Sequence, residues 1–284
     1  MKNIKYCCFP KTVDEAVKLL NDKKHKSIAV AGGILIAKSI SDSIEQYVDI
    51  RYLPLKYIKV SGGDLIIGAL CSFDEIDDNP LAKKWACGVL SKAASKCSSQ
   101  LVRNMATIGG NISKPHSFNI FPALLFALDA NVKVAFLKGS KIYPIGDIYN
   151  SGFPHKLGSD SIITEIIIPA YLKNCQANYE KFAKTQACWE SYASCAFSLS
   201  LKNGKVEKPR VIISSLSPKP IRLEAAEGII SNKKLSFEII EEAMEAFIGN
   251  LDILKFSSAN ITFKKEVASI MFKRFLISVL EGKI

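Results

Sequence analysis

The chain has 284 residues, 48% hydrophobic, 23% charged and 9% aromatic, a globular balance that excludes a disordered chain and, at roughly 100 to 200 residues per domain, suggests about two domains. The longest apolar run, Ile120 to Leu128, is broken by Pro122 and ends at Asp129, short of the about 18 residues that a membrane span needs. The formal charge of +11 points to a polyanion partner, but only five basic residues are Arg and no lysine run exceeds two, so a solvated lysine surface outweighs nucleic-acid binding.

In chain order, Thr12 to Leu20 reads as a helix, with Thr12 as N-cap, Glu15 at the capping-box position and Val13, Ala16, Val17, Leu19 and Leu20 on one stripe. Ser27 to Ala31 is a short strand stopped by Gly32-Gly33. Ile34 to Ile40 then opens a helix and Tyr47 to Ile50 forms another strand, a small βαβ-like unit over about the first 50 residues. Tyr57 to Val60 and Leu65 to Ala69, around the turn Ser61 to Asp64, read as a hairpin. Helices follow, one starting over Ser72 to Ile76, then Trp85 to Ser95 and Ala123 to Asp129. Strands at Val132 to Leu137 and Ile162 to Ile168 close at Pro169. A second domain begins near residue 175, where Ser191 to Leu201 and Val206 to Ser214 pair around Asn203-Gly204. Two helices, Glu238 to Phe247 and Phe263 to Glu281, end the chain.

The usual signatures of dinucleotide, P-loop, zincin and serine-hydrolase sites are missing. The eight cysteines include no Cys-x-x-Cys pair and the three histidines are scattered, so no metal site is expected and the thiols read as reduced and mostly buried. The first residues lack the apolar core of a secretory leader, which makes the cytoplasm the expected location. What remains is two glycine pairs, Ala31-Gly32-Gly33 after a strand and Thr107-Ile108-Gly109-Gly110-Asn111 between apolar segments. Such pairs allow φ > 0 and expose consecutive N–H groups to an anion, and two of them can clasp a pyrophosphate. Taken singly, either is also an ordinary turn.

The string Ser99-Gln-Leu-Val-Arg103-Asn104-Met-Ala-Thr107-Ile-Gly109-Gly110-Asn111-Ile, followed by Pro122-Ala-Leu-Leu-Phe-Ala-Leu-Asp129-Ala, resembles the FAD-binding subunit of molybdenum hydroxylases, the xanthine dehydrogenase and carbon monoxide dehydrogenase relatives. Ala31-Gly32-Gly33, Ile67-Gly68-Ala69, Ile163 to Pro169, Pro220-Ile-Arg222 and Lys264 to Val267 extend the likeness over nearly the whole chain. The resemblance implies an α+β chain: a two-subdomain α/β FAD-binding fold of the vanillyl-alcohol-oxidase/PCMH type over 1–172 (subdomains about 1–55 and 56–172), then a smaller α+β C-terminal domain over 173–284 with an antiparallel sheet and helices. It places FAD between the subdomains, against Ala31, Gly32, Gly33, Ile34, Leu35 and Ile36, against Thr107, Ile108, Gly109, Gly110 and Asn111, and near Asn119, Leu157 and Lys181. It further implies an electron-transfer role within a heteromeric oxidoreductase. Partner subunits would carry [2Fe–2S] clusters and molybdopterin, and NAD+ or another acceptor would take the electrons.

The sequence departs from the pattern at Ile34-Leu35, where polar side chains are usual, and at Asn119, where Asp is usual, after a segment one residue shorter than the family's. A neutral acceptor is worth about 0.5–1.5 kcal/mol against roughly 1.5–3 for a charged one, which implies weaker FAD binding. These losses keep a flavin-free scaffold subunit as the alternative. Lys114 and His116 read either as phosphate neutralisers or as exposed loop residues, and His25 as a surface residue. Trp85 and Trp189 read as core or interface anchors rather than flavin stackers, and Cys188 and Cys195 as buried thiols.

Overall fold

The computed structural model describes residues 4–36, 41–113, 116–150, 157–217, 219–249, 251 and 261–284. The chain begins with β1 (Tyr6–Cys8), α1 (Val13–Asn21), β2 (Ser27–Val30) and β3 (Gln46–Asp49). The three strands form a parallel sheet in the order β1-β3-β2. Helix α1 starts where the sequence places its cap: Thr12 accepts from the Glu15 N–H, and Glu15 accepts from the Lys11 N–H. Its stripe of Ala16, Val17 and Leu20 packs with Val48 and Ile50 into a small core. Residues 34–36 form a turn, and the rest of the helix expected over Ile34 to Ile40 lies outside the described residues.

The second unit contains β4 (Ile58–Ser61), β5 (Asp64–Gly68), α2 (Phe73–Asp78), α3 (Pro80–Lys84), α4 (Val89–Ser95), α5 (Gln100–Met105), α6 (Ile108–Ser113), α7 (Ile120–Ala127), β6 (Asn131–Phe136), β7 (Gly139–Pro144), α8 (Ile145–Asn150) and β8 (Ile162–Ile168). Its strands form an antiparallel sheet in the order β4-β5-β8-β6-β7. Ser72 caps α2 in a complete capping box with Glu75. The expected helix from Trp85 to Ser95 is broken: Ala86, Cys87 and Gly88 take φ values of 49°, 57° and 73°, and α4 starts only at Val89. Tertiary contacts impose the break, since Trp85 is buried and the Ala86 N–H donates to the Lys173 carbonyl at 2.8 Å.

The last unit contains β9 (Gln176–Ala183), β10 (Ser191–Lys202), β11 (Lys205–Ser214), β12 (Ile221–Arg222), α9 (Glu224–Ile230), α10 (Phe237–Gly249) and α11 (Ile261–Leu280). The sheet runs β12-β11-β10-β9, and the β10–β11 turn has Asn203 and Gly204 at φ 53° and 74°, as an Asn-Gly hairpin requires. Strand β10 is buried on both faces. Ala196 joins the core of the second unit, while Cys195 and Phe197 pack with α10 and α11 residues such as Phe247, Phe272 and Phe275. This sheet is therefore the middle layer between the second unit and the terminal helices. Side-chain bonds tie the layers together: Ser198 donates to the Ala127 carbonyl, and Arg210 grips Asp129 through two bonds of 2.8 Å.

Candidate functional site

A cavity of about 540 Å³ opens between the parallel sheet and the second unit, within the size range of small-molecule sites. One wall is the end of β2 and the segment Ala31, Gly32, Gly33, Ile34, Leu35 and Ile36. Ala69, Leu70, Phe73, the turn Cys97-Ser98, Val102 and Ala106 form another. Thr107, Gly109, Gly110, Asn111 and Asn119 line a third side, and Leu157 with Gly158, Ser159, Ser161, Ile162 and Ile163 a fourth. Trp189 comes from the C-terminal unit. Twelve of the fourteen residues expected at the site are thus brought to one cavity; Ile108 and Lys181 are not among its lining residues. Ile108 is buried in the core, and the Lys181 ammonium bonds backbone carbonyls behind the wall. Lys114 lies outside the described residues, and His116 is exposed.

The two glycine pairs do different work. Gly32 sits where the first unit meets α5: a Cβ there would lie 1.7 Å from the Met105 carbonyl oxygen. Gly33 has φ +73° with open space around its Cβ position, the backbone freedom expected of such a loop. The N–H groups of Gly32, Gly33, Ile34 and Ile36 make no hydrogen bond to a described residue. They are the donors available at this wall.

The second pair does not match the expectation of a loop that exposes donors. Residues 108–113 are helical, with Thr107 at the start accepting from the Gly110 N–H at 3.1 Å. The N–H of Ile108 donates to Cys71, that of Gly109 to Ala69 and that of Asn111 to Thr107, at 2.9–3.0 Å. All four amides are committed to backbone carbonyls or to the Thr107 hydroxyl, so this segment is a fixed wall. Gly109 is required by packing, because a Cβ would lie 2.7 Å from that of Ala69. Asn119 is 2% exposed, and its amide nitrogen donates to the Asn111 carbonyl at 2.7 Å. A carboxylate cannot make that bond.

The described lining carries no charged side chain. Burial pushes the Cys97 thiol up to about 11, so it is neutral at pH 7. Anionic groups entering the cavity meet amide dipoles instead of formal cations. The apolar walls suit flat ring systems. Sequence reasoning missed Trp189 as a lining residue: its indole packs 4.4 Å from His116 and 5.7 Å from Phe118, where loops from two units meet. Nothing in the local sequence signals that meeting. Trp85, by contrast, is a core residue, as expected.

Residues 2–171 match the model of the FAD binding domain in molybdopterin dehydrogenase, and residues 179–279 match that of the CO dehydrogenase flavoprotein C-terminal domain. The chain belongs to this flavoprotein family. It is 26% identical over 271 residues to the carbon monoxide dehydrogenase medium chain of Hydrogenophaga pseudoflava, covering 94% of each chain. It is 27% identical to the nicotinate dehydrogenase FAD-subunit of Eubacterium barkeri, covering 96% of this chain and 95% of that one. The fold superimposes on carbon monoxide dehydrogenase from H. pseudoflava with a TM-score of 0.87 at 25% identity, over 96% of both chains. Quinoline 2-oxidoreductase from Pseudomonas putida 86 shares the fold with the same score. The family's cofactor is FAD, and its members are oxidoreductase subunits. The cavity fits such a ligand: it is large, apolar-walled and neutral, and its amides without a partner among the described residues sit beside a glycine that leaves no room for a side chain. Among the described residues no helix is long and apolar enough to cross a membrane.

Proposed function

We propose that this chain holds FAD in the cavity between its first two units and relays electrons between a [2Fe–2S] subunit and an acceptor such as NAD+, while substrate oxidation takes place at a molybdopterin subunit. The observation that carries this reading is the set of amides at Gly32, Gly33, Ile34 and Ile36, which have no partner among the described residues, at the wall of an apolar cavity. In this reading they take the pyrophosphate. The segment from Thr107 to Asn111 serves as the opposing rigid wall, and Asn119 orders that wall through Asn111. Bound FAD supplies the exchange between one-electron and two-electron transfer; the chain supplies position, dielectric and access.

The heteromeric assembly is supported by the relatives' names, which describe a medium chain, a medium subunit and a complex subunit. A division into a FAD-binding part over 1–172 and a C-terminal part over 173–284 agrees with the two family matches. Lysines spread over a chain of charge +11 would steer an acidic partner, an effect that fades with salt. Purification of the native complex tests the assembly, with an iron–sulfur subunit and a molybdopterin subunit expected beside this chain. Reduction of the bound flavin by NADH tests the acceptor; a flavin that NADH leaves oxidised excludes NAD+.

A further inference from the structure

Four serines meet where the second unit touches the C-terminal sheet. Ser191, Ser194, Ser214 and Ser215 are each 5% exposed or less. The Ser215 hydroxyl lies 2.6 Å from that of Ser191, 2.8 Å from that of Ser194 and 3.3 Å from the Ser117 carbonyl oxygen. A hydroxyl has one proton and two lone pairs, and a carbonyl only accepts. One proton arrangement therefore makes all three bonds: Ser215 donates to Ser117, while Ser191 and Ser194 donate to Ser215. The Ser117 carbonyl also accepts from the Ser215 N–H at 3.0 Å and from the Ser214 hydroxyl at 2.9 Å. Ser215 is held at φ +67°, a conformation that a residue with a side chain keeps only where its surroundings over-determine it. The two segments it joins carry the aromatic corner of the cavity. Ser117 stands between His116 and Phe118, whose rings pack 4.4 and 5.7 Å from that of Trp189. Trp189, two residues before Ser191, and Asn119, two residues after Ser117, both line the cavity, whereas Ser215 does not. Hydroxyl bonds on one side and ring contacts on the other thus close a circuit between residues 116–119 and 189–191.

We propose that Ser215 is a positioning residue: its hydroxyl, by donating to Ser117 and accepting from Ser191, fixes the seam between residues 116–119 and 189–191 and so sets where Trp189 and Asn119 stand at the cavity. The effect on FAD rests on the flavin reading above, whereas the effect on Trp189 does not. Without this hydroxyl, Ser191 and Ser194 lose their acceptor in a buried setting, which is costly, and the two segments are free to part. Two substitutions separate positioning from general support of the fold. Ser215→Ala removes the hydroxyl and keeps the strained backbone. Ser215→Gly removes it and relieves the strain, because glycine takes φ > 0 as readily as φ < 0. Ser198→Ala is the control: it too deletes a buried β10 hydroxyl that bonds to the second unit, at the Ala127 carbonyl, but seven residues further along the strand than Ser191.

The test uses the flavin-free full-length chain labelled with 5-fluorotryptophan. Its two resonances, from Trp85 and Trp189, are assigned with Trp189→Phe. In both Ser215 variants the Trp189 resonance is expected to shift and to gain a solvent isotope effect, while that of Trp85 stays in place; Ser198→Ala leaves both unmoved. FAD affinity falls about two- to tenfold in each Ser215 variant, the range that one neutral hydrogen bond carries, although Ser215→Gly melts above Ser215→Ala. An unmoved Trp189 resonance overturns the proposal, as does a shifted one with wild-type FAD affinity. So does wild-type behaviour of Ser215→Gly, which would trace the alanine effect to backbone strain. A Trp189 shift of equal size in Ser198→Ala, or collapse of both resonances in the Ser215 variants, would make Ser215 a support of the whole fold and overturns it too. A wild-type chain that binds no FAD removes the flavin reading and leaves the fluorine result to decide the positioning role.

Discussion

Replacing Gly32 by alanine puts a methyl group 1.7 Å from the Met105 carbonyl oxygen. Nonbonded heavy atoms settle at about 3.5 Å, so the first wall and the end of α5 must separate by well over an ångström. Overpacking of this kind costs typically about 1–3 kcal/mol of stability. The larger effect falls on the ligand, because the displaced segment carries the amides of residues 32–34 and 36. Misaligning two hydrogen bonds to a charged pyrophosphate, at about 1.5–3 kcal/mol each, removes roughly 3–6 kcal/mol. That corresponds to about 100- to 10,000-fold in Kd at 1.4 kcal/mol per tenfold. Gly33→Ala is the control. Its Cβ meets open space and only the φ of +73° resists, a strain of about 1–2 kcal/mol. Fluorescence titration with FAD, read beside a circular-dichroism melt, separates the two. Wild-type affinity in Gly32→Ala, or a greater loss in Gly33→Ala, refutes this account of the first loop.

Asn119→Asp removes the donor to the Asn111 carbonyl in a buried setting, and should destabilise the flavin-free chain by about 1–3 kcal/mol; an unchanged denaturation midpoint counts against the assigned bond. Asp129→Asn weakens the grip of Arg210 and the bond from the Tyr171 hydroxyl. It should cost about 1–3 kcal/mol in a urea melt, and no change would mean that this link between layers is idle. Asp49, held by hydrogen bonds from Arg51, has its carboxyl pKa below the ordinary value. A depressed folded-state value gives stability that is present above the unfolded pKa of about 3.9 and lost as pH falls through the folded one. Acid titration should therefore separate wild type from Asp49→Asn fully above about pH 4, with the difference shrinking as pH falls below it. A constant difference down to acid contradicts the pairing.

Much of the scaffold was legible because local chemistry and tertiary packing agree. Thr12 and Glu15, the Ser72 capping box and the Asn203-Gly204 turn each announce an element that forms as read. The sequence reading missed elements that lean on their surroundings. Strand β7 is an almost wholly exposed edge strand, recognisable only through its pairing with β6. Strand β9 shows alternation only at Ala177 and Tyr179. Helix α5 has no buried residue, and α6 is held by Thr107 and by bonds to residues 69 and 71. The site was half legible. Both glycine pairs pointed to it, but the identity of the free donors depends on which amides tertiary contacts consume, and those contacts span tens of residues. Trp189, Ser117 and Ser215 come together only when the C-terminal sheet packs against the second unit.

The most direct measurement is an equilibrium titration of the flavin-free full-length chain with FAD, followed by flavin fluorescence and thermal shift. The cavity and its wall amides predict saturable, stoichiometric binding that raises the melting temperature and that Gly32→Ala weakens by at least about 100-fold, as worked above from two lost bonds. A chain that neither saturates with FAD nor gains stability from it would contradict the assignment of the cavity as the flavin site.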